Sequence, residues 1–479
     1  MRILMGFHRL LPAVLSVCSL SAAAQVDKAG ILDALNSDYA RYQSIAETLW
    51  SNPELGYLEV ESARVLQNAL EEEGFTVQKG VAGMPTAFTA SFGSGGPVIG
   101  ILGEYDALPG MSQAALPHEE PLEDGAPGQA CGHHLFGTAS LAAAVAVKNW
   151  LSASGTPGTI RYYGTPAEEG GSGKVYMVRA GLFNDVDAVL SWHASDANTA
   201  NPGTNLATIS GKFRFTGRSA HAAAAPERGR SALDGVEAMN DMVNMLREHT
   251  TEPTRIHYVI TDGGNAPNIV PKSAEVYYVI RHEDVDEVRS VWARVVRTAE
   301  GAAIGTETQM QYEIIGGTYP RLPNETLAGT LHANLSVVGG VEYSKDDIAF
   351  ARQIQTTLPG KVPDISEAAK VQPMTFTKGK ASADTGDVSW NVPMAAMRAA
   401  TWVPGTPAHS WQAVAAGGTS IGYKGMMVAA KTLALSAVDL YTQPELLLKA
   451  KAEFHERIGP EFRYEALLGD REPALDYRK

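Results

Sequence analysis

Apolar runs that end in charge constrain the fold of this chain more than any other feature. Residues 98–102 (Val-Ile-Gly-Ile-Leu) lead into Glu104-Tyr105-Asp106, and residues 159–163 into Thr165-Pro166-Ala167-Glu168-Glu169-Gly170. Residues 187–192 lead into His193, and residues 394–402 into a turn ending at His409. Helical patterns separate these runs, at 136–152 (apolar nearly all round), 173–180 and 419–441. Two more precede them, at 31–50 and at 59–73, the second ending at Gly74, where a left-handed cap is expected. Strand alternating with helix predicts an α/β fold with a mostly parallel central sheet flanked by helices. Between 206 and 315 the rhythm changes to strand 206–216, helix 231–249, strands 256–261 and 274–281, helix 285–300 and strand 308–315. That is an inserted βαββαβ unit of ferredoxin-like order. The expected division is 25–205 and 319–479 for the split main domain and 206–318 for the insert.

Residues 1–24 read as an address. Arg2 and Arg9 precede an apolar stretch over 10–20, and Ala22-Ala23-Ala24 offers small residues for cleavage before Gln25. This pattern predicts a secretory signal peptide and a periplasmic or secreted protein. The stretch is too short to span a bilayer durably, and no later one is long enough, so no membrane partner is expected. Lys+Arg number 39 against Asp+Glu 53, a net charge of −14 that also argues against a nucleic-acid partner. Only Cys18 and Cys131 are present, so the mature chain keeps one thiol and no disulfide.

Ligands of open parallel sheets bind beyond the carboxyl ends of the strands. Four strand exits therefore deliver carboxylates or imidazoles to one rim, and Cys131-Gly132-His133-His134 opens the helix between two of them. A thiol and an imidazole two positions apart across a glycine form a plausible metal pair. Cys131, His133, Glu169, His193 and His409 together exceed what one tetrahedral zinc needs and suit two divalent ions sharing a bridge. The thiolate favours zinc over magnesium or calcium, with manganese and cobalt left open. An adjacent Glu-Glu pair is ordinarily a solvated turn. Here the apolar strand before it, Pro166 and Gly170-Gly171 point instead to one carboxylate on metal and the other taking a proton from water.

These residues belong to longer motifs: Asn52-Pro53-Glu54-Leu55-Gly56, Gly103-Glu104-Tyr105-Asp106-Ala107-Leu108-Pro109, Ala130-Cys131-Gly132-His133 and Pro166-Ala167-Glu168-Glu169-Gly170-Gly171. They continue with Gly217-Arg218-Ser219-Ala220-His221, Gly264-Asn265-Ala266-Pro267-Asn268, Asp384-Thr385-Gly386-Asp387 and Gly405-Thr406-Pro407-Ala408-His409. In this the chain resembles the dinuclear metallopeptidases and amidohydrolases that include aminoacylase, carboxypeptidase G and the auxin-conjugate hydrolases, in the family's order along nearly the whole mature chain. The resemblance implies that Cys131, His133, Glu169, His193 and His409 are the metal ligands, with Cys131 bridging. It implies Glu168 as general base and Asp106 as the acid that orients the ligands. It makes the insert a lid through which the protein forms a homodimer, with His221 reaching the neighbouring site to stabilise an oxyanion. Asn268 and Arg281 would hold a substrate carboxylate.

Two positions depart from the family pattern. Glu104, where relatives often have His, stays open between a ligand, an outer acid and neither. His134 could add a ligand or cap the helix and is left out of the metal set. The Asp384–Trp390 stretch either shapes the substrate pocket or supplies turn and capping residues. The implied reaction is metal-dependent hydrolysis of the amide bond of a small N-acyl or N-aroyl amino acid, an aryl-amide of glutamate being the best-fitting example. Two alternatives remain: a dipeptidase or aminoacylase-type N-acyl-amino-acid hydrolase, and a non-catalytic, metal-dependent accessory protein.

Overall fold

The computed structural model describes residues 28–478. The segment read as an export signal, with Cys18, lies outside the described residues. In chain order the strands are β1 (Thr76–Lys79), β2 (Phe88–Ser94), β3 (Val98–Gly103), β4 (Gly158–Gly164), β5 (Ala188–Ser195), β6 (Gly203–Thr204), β7 (Ala207–Thr216), β8 (Arg255–Asp262), β9 (Ser273–His282), β10 (Gln309–Thr318), β11 (Thr377–Lys378) and β12 (Met394–Ala400).

The main sheet has the order β1-β2-β4-β3-β5-β12. Within it β4, β3, β5 and β12 are mutually parallel, and β2 and β1 add an antiparallel edge. The four runs singled out from the sequence are these four parallel strands, so their carboxyl ends share one edge of the sheet. β3 and β4 are buried on both faces, which explains why they read as continuous apolar runs rather than alternating ones. The helices His133–Ser154 and Ser420–Thr442 pack on the sheet and on each other, and both are buried nearly all round.

The insert is a separate four-stranded antiparallel sheet, β10-β7-β9-β8, with its own core. Strand β9 alternates, with Ala274, Val276, Tyr278 and Ile280 buried toward the helices Ala232–Leu246 and Val285–Gly305. Asp284 caps the second helix by accepting from the N–H groups of Asp286 and Glu287. The outer strand β8 leaves Tyr258, Val259 and Ile260 exposed.

The sequence pattern missed two things. The helical stretch at 31–50 breaks at Asp38 into Lys28–Ser37 and Tyr39–Ser51. Asn36, Ser37 and Asp38 are consecutive poor helix formers whose side chains compete for the backbone. A further helix, Pro444–Ile458, follows the expected last one, with Pro444 in its first turn. Beyond it, residues 459–478 form no helix or strand and fold back over the protein. Among the described residues no helix is long and apolar enough to cross a membrane.

Candidate metal centre and active site

The residues at the sheet edge converge. Cys131, His133 and His193 form one group whose donor atoms lie within 4.8 Å of one another, and Cys131, Glu169 and His409 form a second. The two groups share the Cys131 sulfur. Gly132 at φ +75° reverses the chain between Cys131 and His133, a conformation glycine adopts at little cost. His409 is left-handed as well, at φ +58°, and its N–H donates to the carbonyl of Ala130 at 3.0 Å. The last ligand is thereby tied to the turn that presents the first.

Hydrogen bonds set which ring nitrogen is free. His193 Nδ1 donates to the Ala194 carbonyl at 2.8 Å, which leaves the Nε2 lone pair 3.4 Å from Cys131 Sγ. Burial, then Arg398 and His133, lowers its pKa to about 4, so the ring is neutral, as a ligand must be. His133 Nδ1 lies 2.9 Å from Asp106 Oδ1, and the other Asp106 oxygen accepts the Glu169 N–H at 2.9 Å. One buried carboxylate thus orients a residue of each group, the outer arrangement that fixes metal ligands.

Several donors approach each other without bonding. Glu104 Oε2 is 3.0 Å from His133 Nε2, and Glu169 Oε1 is 3.1 Å from His409 Nε2. Yet Glu104 Oε2, His133 Nε2 and Glu169 Oε1 are buried with no hydrogen-bond partner among the described residues. Buried polar atoms without partners are costly, and atoms that crowd without lying along a donor–acceptor line suit a cation between them. Burial pushes the Cys131 thiol up to about 12, so a thiolate there needs a cation beside it. Soft sulfur, neutral imidazole and carboxylate make a donor set that fits zinc-type ions.

The Glu168-Glu169 loop is an unusual piece of backbone. Ala167 at φ +54° and Ser172 at φ +59° flank it, both non-glycine residues in the left-handed region. The Ala167 N–H donates to the buried Glu59 carboxylate at 2.8 Å. A methyl group at Gly56 would lie 2.9 Å from the Ala167 Cβ, and one at Gly171 only 2.5 Å from it. Burial raises the Glu169 carboxyl, but His409 and then His133 outweigh it and hold the group below its usual value. Glu168 lies outside the two groups that share Cys131 and forms a third group with Glu104 and His133, its donor atoms again within 4.8 Å of one another. Burial, with Glu104, Glu169 and Asp384 nearby, raises its pKa well above the usual carboxylate range, which suits a proton acceptor.

Lys174 is a residue the sequence reading overlooked. Its ammonium is fully buried, 2.6 Å from Glu104 Oε1 and 2.7 Å from Asp384 Oδ1, and its N–H donates to Asp384 Oδ2 at 2.9 Å. Burial raises Glu104, but Lys174 and His133 outweigh it and keep the group ionised. Burial pushes Asp384 up to about 6, with Lys174 opposing. The signal was available: a lone lysine within an apolar helical run, directly behind the glutamate loop, needs a buried acid.

His134 points elsewhere. It is buried, its Nε2 is 3.1 Å from the Gly417 carbonyl, and burial lowers its pKa to about 3. It belongs to none of the three groups that could hold a metal. Replacing His134 by Asn should leave metal content unchanged and cost about 1–3 kcal/mol of stability through the orphaned carbonyl. Replacing His133 by Asn should lose metal; elemental analysis and chemical denaturation check the pair.

The insert contributes separately. Arg281 lines a cavity of about 220 Å³ together with Glu168, Glu169, Tyr277 and Asp384. Its Nε is buried without a partner among the described residues, and Nη1 reaches Ser382 Oγ at 3.5 Å. His221 and Asn268 do not join the cluster. Both are exposed on the insert, on neighbouring segments where the Ala222 N–H donates to the Asn268 carbonyl at 3.0 Å.

Comparison with known proteins agrees with this geometry. A family model described as a peptidase dimerisation domain of the M20 type matches residues 206–307. The chain is 44% identical over 454 residues to a p-aminobenzoyl-glutamate hydrolase chain of Escherichia coli strain K12, one component of that hydrolase, covering 89% of this chain and 94% of that one. The chain belongs to the M20 peptidase family. M20 membership makes it a hydrolase of amide bonds. Xaa-Arg dipeptidase of Mus musculus is 28% identical over 92% of this chain and 95% of its own. Among solved structures, an aminobenzoyl-glutamate utilization protein from Klebsiella pneumoniae aligns with a TM-score of 0.62 at 19% identity, covering 86% of this chain and 98% of its own. A dinuclear metal binding peptidase of the M20 family from Bacillus subtilis aligns at 0.57, also at 19% identity, covering 85% and 99%. These two likenesses establish that the M20 chain has the family fold.

Proposed function

We infer that this M20 hydrolase cleaves small N-acyl or N-aroyl amino acids that carry a carboxylate, with an aryl-amide of glutamate as the favoured substrate. One observation carries this reading: a single cavity has the Glu168-Glu169 loop on one wall and the Arg281 guanidinium, which has no acidic partner among the described residues, on another. Arg presents a planar fork suited to a carboxylate, and a cavity of about 220 Å³ suits a small substrate. The Escherichia coli relative is named for p-aminobenzoyl-glutamate, in keeping with this choice.

Cys131, His133, Glu169, His193 and His409 would hold two divalent ions, zinc first among them. When bound, the ions supply Lewis acidity to the amide carbonyl and acidify the attacking water. Glu168 accepts the water's proton and returns it to the leaving nitrogen. Asp106 keeps His133 and the Glu169 backbone in register throughout. His221 Nδ1 accepts from the N–H groups of Ala223 and Ala224, so a neutral ring carries its proton on Nε2. His221 is exposed, so that donor on the partner subunit's His221 could meet a developing oxyanion across a dimer. The exposed apolar residues of edge strand β8 support pairing of two copies of this chain through the insert. Export as a periplasmic or secreted enzyme completes the reading.

A panel of N-aroyl and N-acyl glutamates, aspartates and neutral dipeptides tests it. The zinc-loaded chain should hydrolyse the anionic members and lose that activity to a chelator. Arg281→Met should raise KM about 10–100-fold for them and far less for neutral ones. Preference for neutral or cationic dipeptides would favour a dipeptidase, and no chelator-sensitive hydrolysis of any member would favour a non-catalytic binding role.

A further inference from the structure

We propose that residues 459–478 are a strap that sets the geometry of the Glu168-Glu169 loop, with Tyr477 and Arg478 as positioning residues for the reaction; this rests on the reading of that loop given above. The strap starts at the insert. The Glu465 carbonyl accepts from Arg289 Nη2 and from the Tyr319 hydroxyl, each at 2.9 Å. Leu467 joins the core of the insert, and its neighbour Leu468 joins the core of the main domain. Arg471 then grips β10, donating to the Ile315 carbonyl at 2.6 Å and to Glu313 Oε1 at 3.0 Å. On the main domain, Arg179 donates to the Arg471 carbonyl and the Tyr176 hydroxyl to that of Glu472.

The end of the strap reaches the loop itself. The Tyr477 hydroxyl and Arg478 Nη2 both donate to the Glu169 carbonyl, at 2.9 and 2.8 Å. The Arg478 guanidinium lies 4.9 Å from the centre of the Tyr477 ring, and the Tyr477 ring meets Tyr57 edge-on at 5.6 Å. The Tyr57 hydroxyl donates to the Gly171 carbonyl at 2.7 Å. A backbone stretch flanked by two left-handed non-glycine residues is therefore held from outside, at the carbonyl of a residue whose side chain faces the ligands. Two donors on one carbonyl fix the peptide plane that carries the Glu169 Cα, and with it the backbone from which the adjacent Glu168 and Glu169 side chains leave. The same segment is anchored on the insert, so the loop and the wall bearing Arg281 are referenced to one piece of chain.

The test uses the full chain with Tyr477→Phe and Arg478→Ala combined, and with Tyr477→Phe and Arg478→Lys combined. Catalytic constants, unfolding midpoint and the visible absorption of the cobalt-loaded protein are measured. Loss of both donors should lower kcat about tenfold to a hundredfold, as small misplacements of catalytic groups do, with KM little changed. The cobalt bands should shift, and lysine at 478, which can still donate to the carbonyl, should restore most of both. An unchanged kcat and cobalt spectrum would overturn the proposal. So would a loss of kcat that lysine does not restore and that follows an equal fall in unfolding midpoint. The cobalt spectrum needs no substrate, so a parent chain that hydrolyses no amide would refute the proposed function and leave the strap to be judged on the spectrum.

Discussion

Replacing Glu168 by Gln should lower kcat by about 10²–10⁴-fold, the range expected when a general base is removed, and leave the metal content intact. Gln keeps the shape of Glu and loses the ability to accept a proton from water. Glu168 lies outside the two groups that share Cys131, and Gln keeps a carbonyl oxygen for the third group it forms with Glu104 and His133, so metal is expected to be retained. Its surroundings favour the role, because burial and three nearby carboxylates raise its affinity for a proton. Steady-state kinetics on an N-aroyl glutamate, with elemental analysis of the same preparation, decides the matter. Turnover within tenfold of the parent would remove Glu168 from the base role, and a metal-depleted variant would make it a ligand.

The largest stability effect is expected at Lys174. Removing its ammonium, as in Lys174→Met, leaves Glu104 and Asp384 buried without their cation. Breaking a buried ion pair from one side typically costs about 3–5 kcal/mol, because the remaining charge has neither water nor a partner. A metal-free sample should show this loss in denaturant-induced unfolding. Adding Asp384→Asn removes one of the stranded charges and should recover part of it. Equal stabilities of Lys174→Met and the parent would mean that the two carboxylates take up protons at little cost.

Much of the fold was legible from periodicity because its strands are of two clear kinds. The parallel strands β3, β4, β5 and β12 are sheathed by helices and read as unbroken apolar runs, whereas β9 of the insert alternates. The rim of polar residues was legible because function at strand exits breaks an apolar run abruptly. Motif resemblance then marked Cys131, His133, Glu169, His193 and His409, which the structure gathers into two linked groups. The strap was not legible, and Lys174 only as a lone lysine in an apolar run whose acidic partners could not be named. A buried lysine is spelled like a solvated one until its partners Glu104 and Asp384, far away in sequence, are brought to it. Residues 459–478 have no period at all, and their order comes from single hydrogen bonds onto distant carbonyls such as that of Glu169. His221 and Asn268 are exposed on the insert and stay apart from the cluster in the single chain.

The methyl group of Ala167 occupies the space that the missing side chains of Gly56 and Gly171 leave open. Three small residues, two of them more than a hundred positions from the third, are thus solutions to one steric equation. Descendants of this chain that enlarge any one of them must shrink or shift another, so the trio is expected to drift as a unit, and a loop transplanted without Gly56 would arrive without its socket.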